Sequence, residues 1–137
     1  MTVKELAKQD PQSTIGRAYA IAEAAHKGQV RKTGEAYINH PIAVAETLKD
    51  WGLDEITVAA GLLHDTVEDT KTTLADIKRE FGDAIAFLVD GVTKIGKIKY
   101  QGKADQVENL RKLVLALSQD LRVVFIKLAD RMNNMKT

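Results

Sequence analysis

The chain has 137 residues, 45% of them hydrophobic and 28% charged, with a formal net charge of +1. That is the size and balance of one soluble domain with a core of its own, and the small net charge excludes a bulk electrostatic drive toward nucleic acid or an anionic membrane. No apolar run reaches the roughly 20 residues of a membrane-spanning helix, and with no cysteine there can be no disulfide, so any metal donors must be nitrogen and oxygen.

Met1-Thr2-Val3-Lys4-Glu5 is too polar for a signal peptide, so a cytoplasmic location is expected. Thr2 and Glu5 read as a capping box that opens a short first helix. Asp10-Pro11 predicts the cap of a second helix with proline at its first position. Ile15, Ala18, Tyr19, Ala22 and Ala25 then keep helical spacing as far as Gly28. Residues 28–39, rich in Lys, Arg and Gly, read as a loop. His40-Pro41 starts a third helix through Ile42, Val44, Ala45 and Leu48, stopped at Gly52. Asp54 is predicted to cap a fourth, which contains the apolar run Val58-Ala59-Ala60-Gly61-Leu62-Leu63 and carries His64-Asp65-Thr66-Val67-Glu68-Asp69. Thr73 with Asp76 caps a helix from Leu74 to Phe81, ended by Gly82, and Asp83 begins another over residues 84–92. Residues 95–104 read as a second loop. Asp105 and Glu108 cap a segment with Val107, Leu110, Leu113, Val114 and Leu117 on one face, and Asp120 opens the last element. Val123-Val124-Phe125-Ile126 has the composition of a strand. A lone strand would have no pairing partner, so it is read as buried helix. No repeat or linker divides the chain. The expectation is an all-α bundle of about seven or eight helices with no sheet.

The hexapeptide at 64–69 carries the chemistry. It places one imidazole and three carboxylates in six residues, directly after an apolar run. On a helix, residues three and four apart share a face, which aligns His64 with Glu68, and Asp65 with Glu68 and Asp69. Three carboxylates so close repel unless a cation sits among them. That predicts a metal site with acid/base carboxylates beside it. The plainer alternative is a helix end trailing into a solvated acidic turn. The chain has two other histidines. His26 reads as a helix-end residue, and His40 by itself as a cap or a partly exposed packing residue. Asp130, late in the apolar run 125–131, needs a partner; Arg131 or Arg122 is the simplest. Taken together, His40, His64, Asp65 and Asp130 make a nitrogen and oxygen set suited to Mn²⁺, Fe²⁺ or Zn²⁺.

The order His…His-Asp…Asp resembles that of HD-type metal phosphohydrolases. Longer stretches resemble the hydrolase domain of the RelA/SpoT alarmone enzymes from about Ile15 to the last residue. They are Ala25-His26-Lys27-Gly28-Gln29-Val30-Arg31-Lys32-Thr33-Gly34, Tyr37-Ile38-Asn39-His40-Pro41, residues 62–70, Gly91-Val92-Thr93-Lys94, residues 108–112 and residues 127–137. The resemblance implies an all-α HD-domain bundle that uses Mn²⁺ to remove the 3′-pyrophosphate from guanosine tetra- and pentaphosphate in the stringent response. The products are GDP or GTP and pyrophosphate. It implies metal ligands at His40, His64, Asp65 and Asp130, and catalytic carboxylates at Glu68 and Asp69. It implies substrate contacts from Arg31, stacking on guanine with Lys32 and Thr33 beside it, from Lys112, and from Asn134 and Thr137 at the nucleoside. Lys97, Lys99 and Arg111 are further cations that could meet an anionic substrate. No direct nucleic-acid contact and no membrane are implied.

Two departures matter. The family usually has His where Asn133 stands, and its hydrolase domains continue past the position of Thr137 into further helices, a synthetase domain and regulatory domains. Residues 1–137 are therefore expected to be an HD-type metal-dependent phosphohydrolase domain from a longer chain, truncated at its C-terminus. Two other readings stay open: an HD hydrolase for another nucleotide, and a metal-holding regulatory module left inactive by truncation.

Overall fold

Past its first two residues, the helix over residues 55–63 shows no face to solvent: every residue from Thr57 to Leu63 is buried. A helix that is apolar all round has to be surrounded, and the other elements surround this one. The computed structural model describes residues 2–96 and 121–136. In chain order its helices are α1 (Val3–Gln9), α2 (Thr14–Ala25), α3 (Asn39–Asp50), α4 (Glu55–Leu63), α5 (Thr66–Asp69), α6 (Leu74–Phe81), α7 (Asp83–Gly96) and α8 (Leu121–Lys136). α4 packs against α2, α3, α7 and α8, while α3 and α7 also meet α8. There is no sheet among the described residues, only an isolated antiparallel bridge between Val30 and Ala36 in the loop before α3. No helix among them is long and apolar enough to cross a membrane.

The core draws Val44, Ala45 and Leu48 from α3, Val58 and Leu62 from α4, Leu88 and Val89 from α7, and Val123, Ile126 and Ala129 from α8. Burying each Leu or Ile side chain contributes about 1.5–3 kcal/mol relative to leaving it in water. Two glycines set how closely the helices approach. A Cβ on Gly61 would lie 2.6 Å from Cδ1 of Leu48, and one on Gly91 would lie 2.8 Å from Cγ2 of Val123. Those positions bring α3 against α4 and α7 against α8.

Local sequence rules account for most boundaries. Thr73 and Asp76 form the reciprocal capping box, and Gly82 at φ 94° ends α6. The β-branched stretch at 123–126 is helix, as expected. Other boundaries differ from the reading of the sequence. Asp10-Pro11 does not start α2: Asp10 closes α1, and Ser13 caps α2 by accepting from the Gly16 N–H. Ser13 also donates to the Asp10 carbonyl at 2.7 Å, so residues 10–13 form a turn of their own. Asp54 precedes α4, but its carboxylate takes the Thr57 hydroxyl and Arg122 instead of the helix N–H groups. α7 runs on to Gly96, which puts residues 95 and 96 in helix rather than loop. The expected elements at 97–120 lie outside the described residues.

Candidate functional site

The fourth helix does not carry the hexapeptide unbroken. α4 stops at Leu63, His64 and Asp65 form a turn, and α5 restarts at Thr66. Side chains take the carbonyls at the break: His64 Nδ1 meets the Gly61 carbonyl at 2.6 Å, and the Thr66 hydroxyl donates to that of Leu63 at 2.7 Å. Side-chain bonds of this kind compete with the helical ladder. The break puts His64 and Asp65 at the buried end of α4.

α3 and α8 bring the remaining groups. His40 stands in the first turn of α3, and Asp130 follows the buried Ile126 and Ala129 on α8. His40 Nε2 lies 2.7 Å from Asp130 Oδ1 and 3.6 Å from Asp65 Oδ2. His64 Nε2 lies 3.1 Å from Asp65 Oδ2 and 3.3 Å from Asp130 Oδ1. One donor atom from each of the four residues lies within 4.8 Å of every other. His40, His64 and Asp130 are 3%, 2% and 5% exposed, so His40 is no partly exposed packing residue. Asp130 meets the two imidazoles and Lys127, while Arg122 pairs with Asp54 instead.

The set fits a divalent ion. His64 Nδ1 is committed to the Gly61 carbonyl, and His40 Nδ1 to Oδ1 of Asn133 at 2.5 Å. With Nδ1–H donated outward, each imidazole can present its Nε2 lone pair to the centre, the usual support for a ligating histidine. Lys127 Nζ holds Asp130 Oδ2 at 3.1 Å and leaves Oδ1 facing the imidazoles.

Electrostatics describe the same centre without an ion. Burial works against a charge on His64, but the Asp65 charge and hydrogen bonds to Asp130 and Asp65 push its pKa up to about 10. Burial also works against the Asp65 charge; the His64 charge, then hydrogen bonds from His64 and Tyr37, outweigh it and pull the pKa down to about 2. Asp130 is likewise held well below the usual carboxylate range, as hydrogen bonds from His40 and His64 overcome its burial. An entering cation must displace the His64 proton.

A cavity of about 450 Å³ opens beside the cluster. His40, Asp65 and Asp130 line it together with Val30, Arg31, Lys32, Thr33, Tyr37 and Asn134. Arg31 Nη2 donates to Oδ1 of Asn134 at 2.9 Å, joining the loop at 30–36 to α8. Glu68 and Asp69 are exposed on α5. Asp69 is linked to the cluster through Tyr37, whose hydroxyl lies 2.8 Å from Asp65 Oδ2 and 3.0 Å from Asp69 Oδ2. Burial, then the Asp65 charge, raises the Tyr37 pKa well above the usual phenol range, so the hydroxyl keeps its proton. His26 ends α2, buried, and stands outside the four-residue cluster. Lys97, Lys99, Arg111, Lys112 and Thr137 lie outside the described residues.

Reading the sequence missed three contributors. Lys127 and Asn133 sit three residues either side of Asp130, and that helical spacing was the available signal. Tyr37 lies in a loop, where no periodicity points to a partner.

Residues 18–137 match the HD domain family. The GTP pyrophosphokinase of Streptomyces coelicolor is 55% identical over 90% of this chain and 14% of its own length. The guanosine-3′,5′-bis(diphosphate) 3′-pyrophosphohydrolase of Aquifex aeolicus is 56% identical over 90% of this chain and 17% of its own. The chain thus spans less than a fifth of either relative. A solved structure of a metazoan ortholog of SpoT, which hydrolyzes ppGpp and plays a role in starvation responses, matches with a TM-score of 0.72 at 30% identity. That match covers 92% of this chain and 70% of the other. The match across residues 18–137 and these relatives together establish that the chain belongs to the HD-domain family, in its RelA/SpoT branch.

Proposed function

We propose that this chain is an HD-type hydrolase domain that removes the 3′-pyrophosphate from guanosine tetra- and pentaphosphate. Residues 1–137 belong to that domain, within a cytoplasmic protein that also carries synthetase and regulatory domains. The observation that carries the reading is the convergence of His40, His64, Asp65 and Asp130, from three separated segments, beside a cavity also lined by Arg31, Lys32, Thr33 and Asn134. Relatives named for this hydrolysis support it.

Those four residues hold the ion, and Mn²⁺ is the one proposed. Bound there, a divalent ion lowers the pKa of water to supply a nucleophile near neutral pH and offsets charge on the phosphoryl oxygens. Glu68 and Asp69 orient the attacking water and take its proton. The water oxygen bonds to the phosphorus nearest the ribose as the bond from that phosphorus to the 3′-oxygen breaks. The 3′-oxygen ends protonated, which leaves GDP or GTP and pyrophosphate. Arg31 stacks on the guanine with Lys32 and Thr33 beside it. Asn134 and Thr137 meet the nucleoside, and Lys112 meets phosphate.

The test is incubation of the protein with guanosine tetraphosphate and Mn²⁺, separating products by anion-exchange chromatography. GDP and pyrophosphate in equal amounts are expected, with none in EDTA. Turnover of deoxynucleoside triphosphates with none of the tetraphosphate would move the proposal to another nucleotide. No turnover of either would leave a metal-holding module.

A further inference from the structure

One side chain in the loop before α3 touches both halves of the site. The Tyr37 hydroxyl stands between Asp65, of the four-donor cluster, and Asp69, of the acidic turn, at nearly equal distances of 2.8 and 3.0 Å. On Asp65 it meets Oδ2, the oxygen that also faces His64 Nε2 at 3.1 Å and His40 Nε2 at 3.6 Å. A bond to that oxygen fixes how the carboxylate is turned, and so where its remaining lone pair points. A hydroxyl has one proton to donate, so it serves these two carboxylates only if held between them.

The ring is held. The buried His26 imidazole stacks on it, with centroids 4.7 Å apart and planes 30° from parallel. The Arg31 guanidinium carbon lies 5.9 Å from its centroid on the cavity side. His26 Nδ1 is 3.0 Å from Gln29 Oε1, and Gln29 Nε2 donates to the Asp69 carbonyl at 2.9 Å. The contacts close a circuit from Tyr37 through His26 and Gln29 to the Asp69 backbone, then back through the Asp69 carboxylate to the tyrosine hydroxyl. Phenylalanine would fill the same space and make neither carboxylate bond.

We propose that Tyr37 is a positioning residue that sets the orientation and spacing of Asp65 and Asp69, with His26 and Gln29 as its frame. The proposal rests on the metal assignment above and not on the identity of the nucleotide.

Tyr37→Phe tests it, because the substitution keeps the ring, the stack and the Arg31 contact and removes only the hydroxyl. Mn²⁺ affinity is read from the loss of the free-ion electron paramagnetic resonance signal on titration, beside an Asp65→Ala control. Tyr37→Phe should bind Mn²⁺ at least about tenfold more weakly, the usual loss when a ligand's outer partner is removed, with a melting temperature lowered by no more than the few degrees its lost hydrogen bonds account for. Its kcat on guanosine tetraphosphate should fall while KM holds. Gln29→Ala, which removes the bonds to His26 and to the Asp69 carbonyl but keeps the Tyr37 hydroxyl, should lower kcat and weaken Mn²⁺ less than Tyr37→Phe does. Wild-type Mn²⁺ affinity in Tyr37→Phe, with Asp65→Ala impaired, overturns this proposal alone. Wild-type affinity in Asp65→Ala overturns the metal assignment and this proposal with it. A melting temperature that falls in step with affinity makes Tyr37 a packing residue and also overturns the proposal.

Discussion

Nε2 of His40 lies 2.7 Å from Oδ1 of Asp130, across 90 residues of chain. α3 and α8 are held together behind this contact by buried apolar side chains, Val44 and Leu48 on one and Ile126 and Ala129 on the other. Removing either polar partner leaves the other buried without its mate. Asp130→Ala should therefore bind Mn²⁺ too weakly to detect at micromolar concentration. It should also melt lower than wild type in EDTA, because His40 and His64 lose their shared acceptor. Calorimetric titration and thermal denaturation measure the two effects. Tight Mn²⁺ binding by Asp130→Ala would remove this residue from the ligand set.

Glu68 and Asp69 should separate from the ligands by their phenotype. Both are exposed, in contrast to the buried His40, His64 and Asp130. Positioned proton transfer contributes about 10²–10⁴-fold in rate, so Glu68→Ala and Asp69→Ala should each lose most hydrolysis while keeping Mn²⁺ affinity largely intact. Should Glu68→Ala lose the ion as completely as Asp65→Ala, Glu68 is a ligand. Should it keep full turnover, the acidic turn is only a solvated helix end.

Asn133 should matter although it is not among the four candidate donors. Its Oδ1 accepts from His40 Nδ1, which leaves Nε2 free of a proton once a cation binds. Asn133→Ala should weaken Mn²⁺ by about 10–100-fold, and Asn133→Asp, which keeps an acceptor, should recover most of that loss. A parallel titration of the two variants decides it; equal weakening in both would show that the acceptor is not what counts.

Without metal, stability should fall on the alkaline side. His64 has a folded pKa of about 10 against an ordinary 6.5, so its contribution is complete below 6.5 and lost as pH rises through about 10. Asp65, at about 2 against 3.8, contributes above 3.8 and loses that contribution as pH falls through about 2. The melting temperature in EDTA should thus be highest between these limits and decline from 6.5 toward 10. His64→Gln should flatten the alkaline decline. An identical decline in that variant would assign it to other groups.

Much of this was legible in the sequence because it is local. Thr73, Asp76 and Gly82 lie within one helix of each other, and capping needs nothing else. The Asp10-Pro11 signal is equally local, but it lost to Ser13, whose hydroxyl reaches both the Asp10 carbonyl and the Gly16 N–H. The four clustered residues could be named from residue type and resemblance, whereas their supports could not. Asn133 looked only like a departure from a family pattern until α3 brought His40 to it. Tyr37 gains its meaning from Asp65 and Asp69, on the far side of α3 and α4 in the chain. The break after Leu63 follows from His64 and Thr66 bonding to carbonyls behind them, a choice that helical periodicity does not encode.

The candidate donors come from positions 40, 64, 65 and 130, and the last stands on the final described helix. A domain folds as a unit. α3 and the turn after α4 supply two imidazoles and one carboxylate. The second carboxylate comes from α8, which reaches the others only through its packing on α3, α4 and α7. The proposed centre is therefore a property of the whole fold: displacing α8 alone would split the donor set, however intact α3 and α4 stayed.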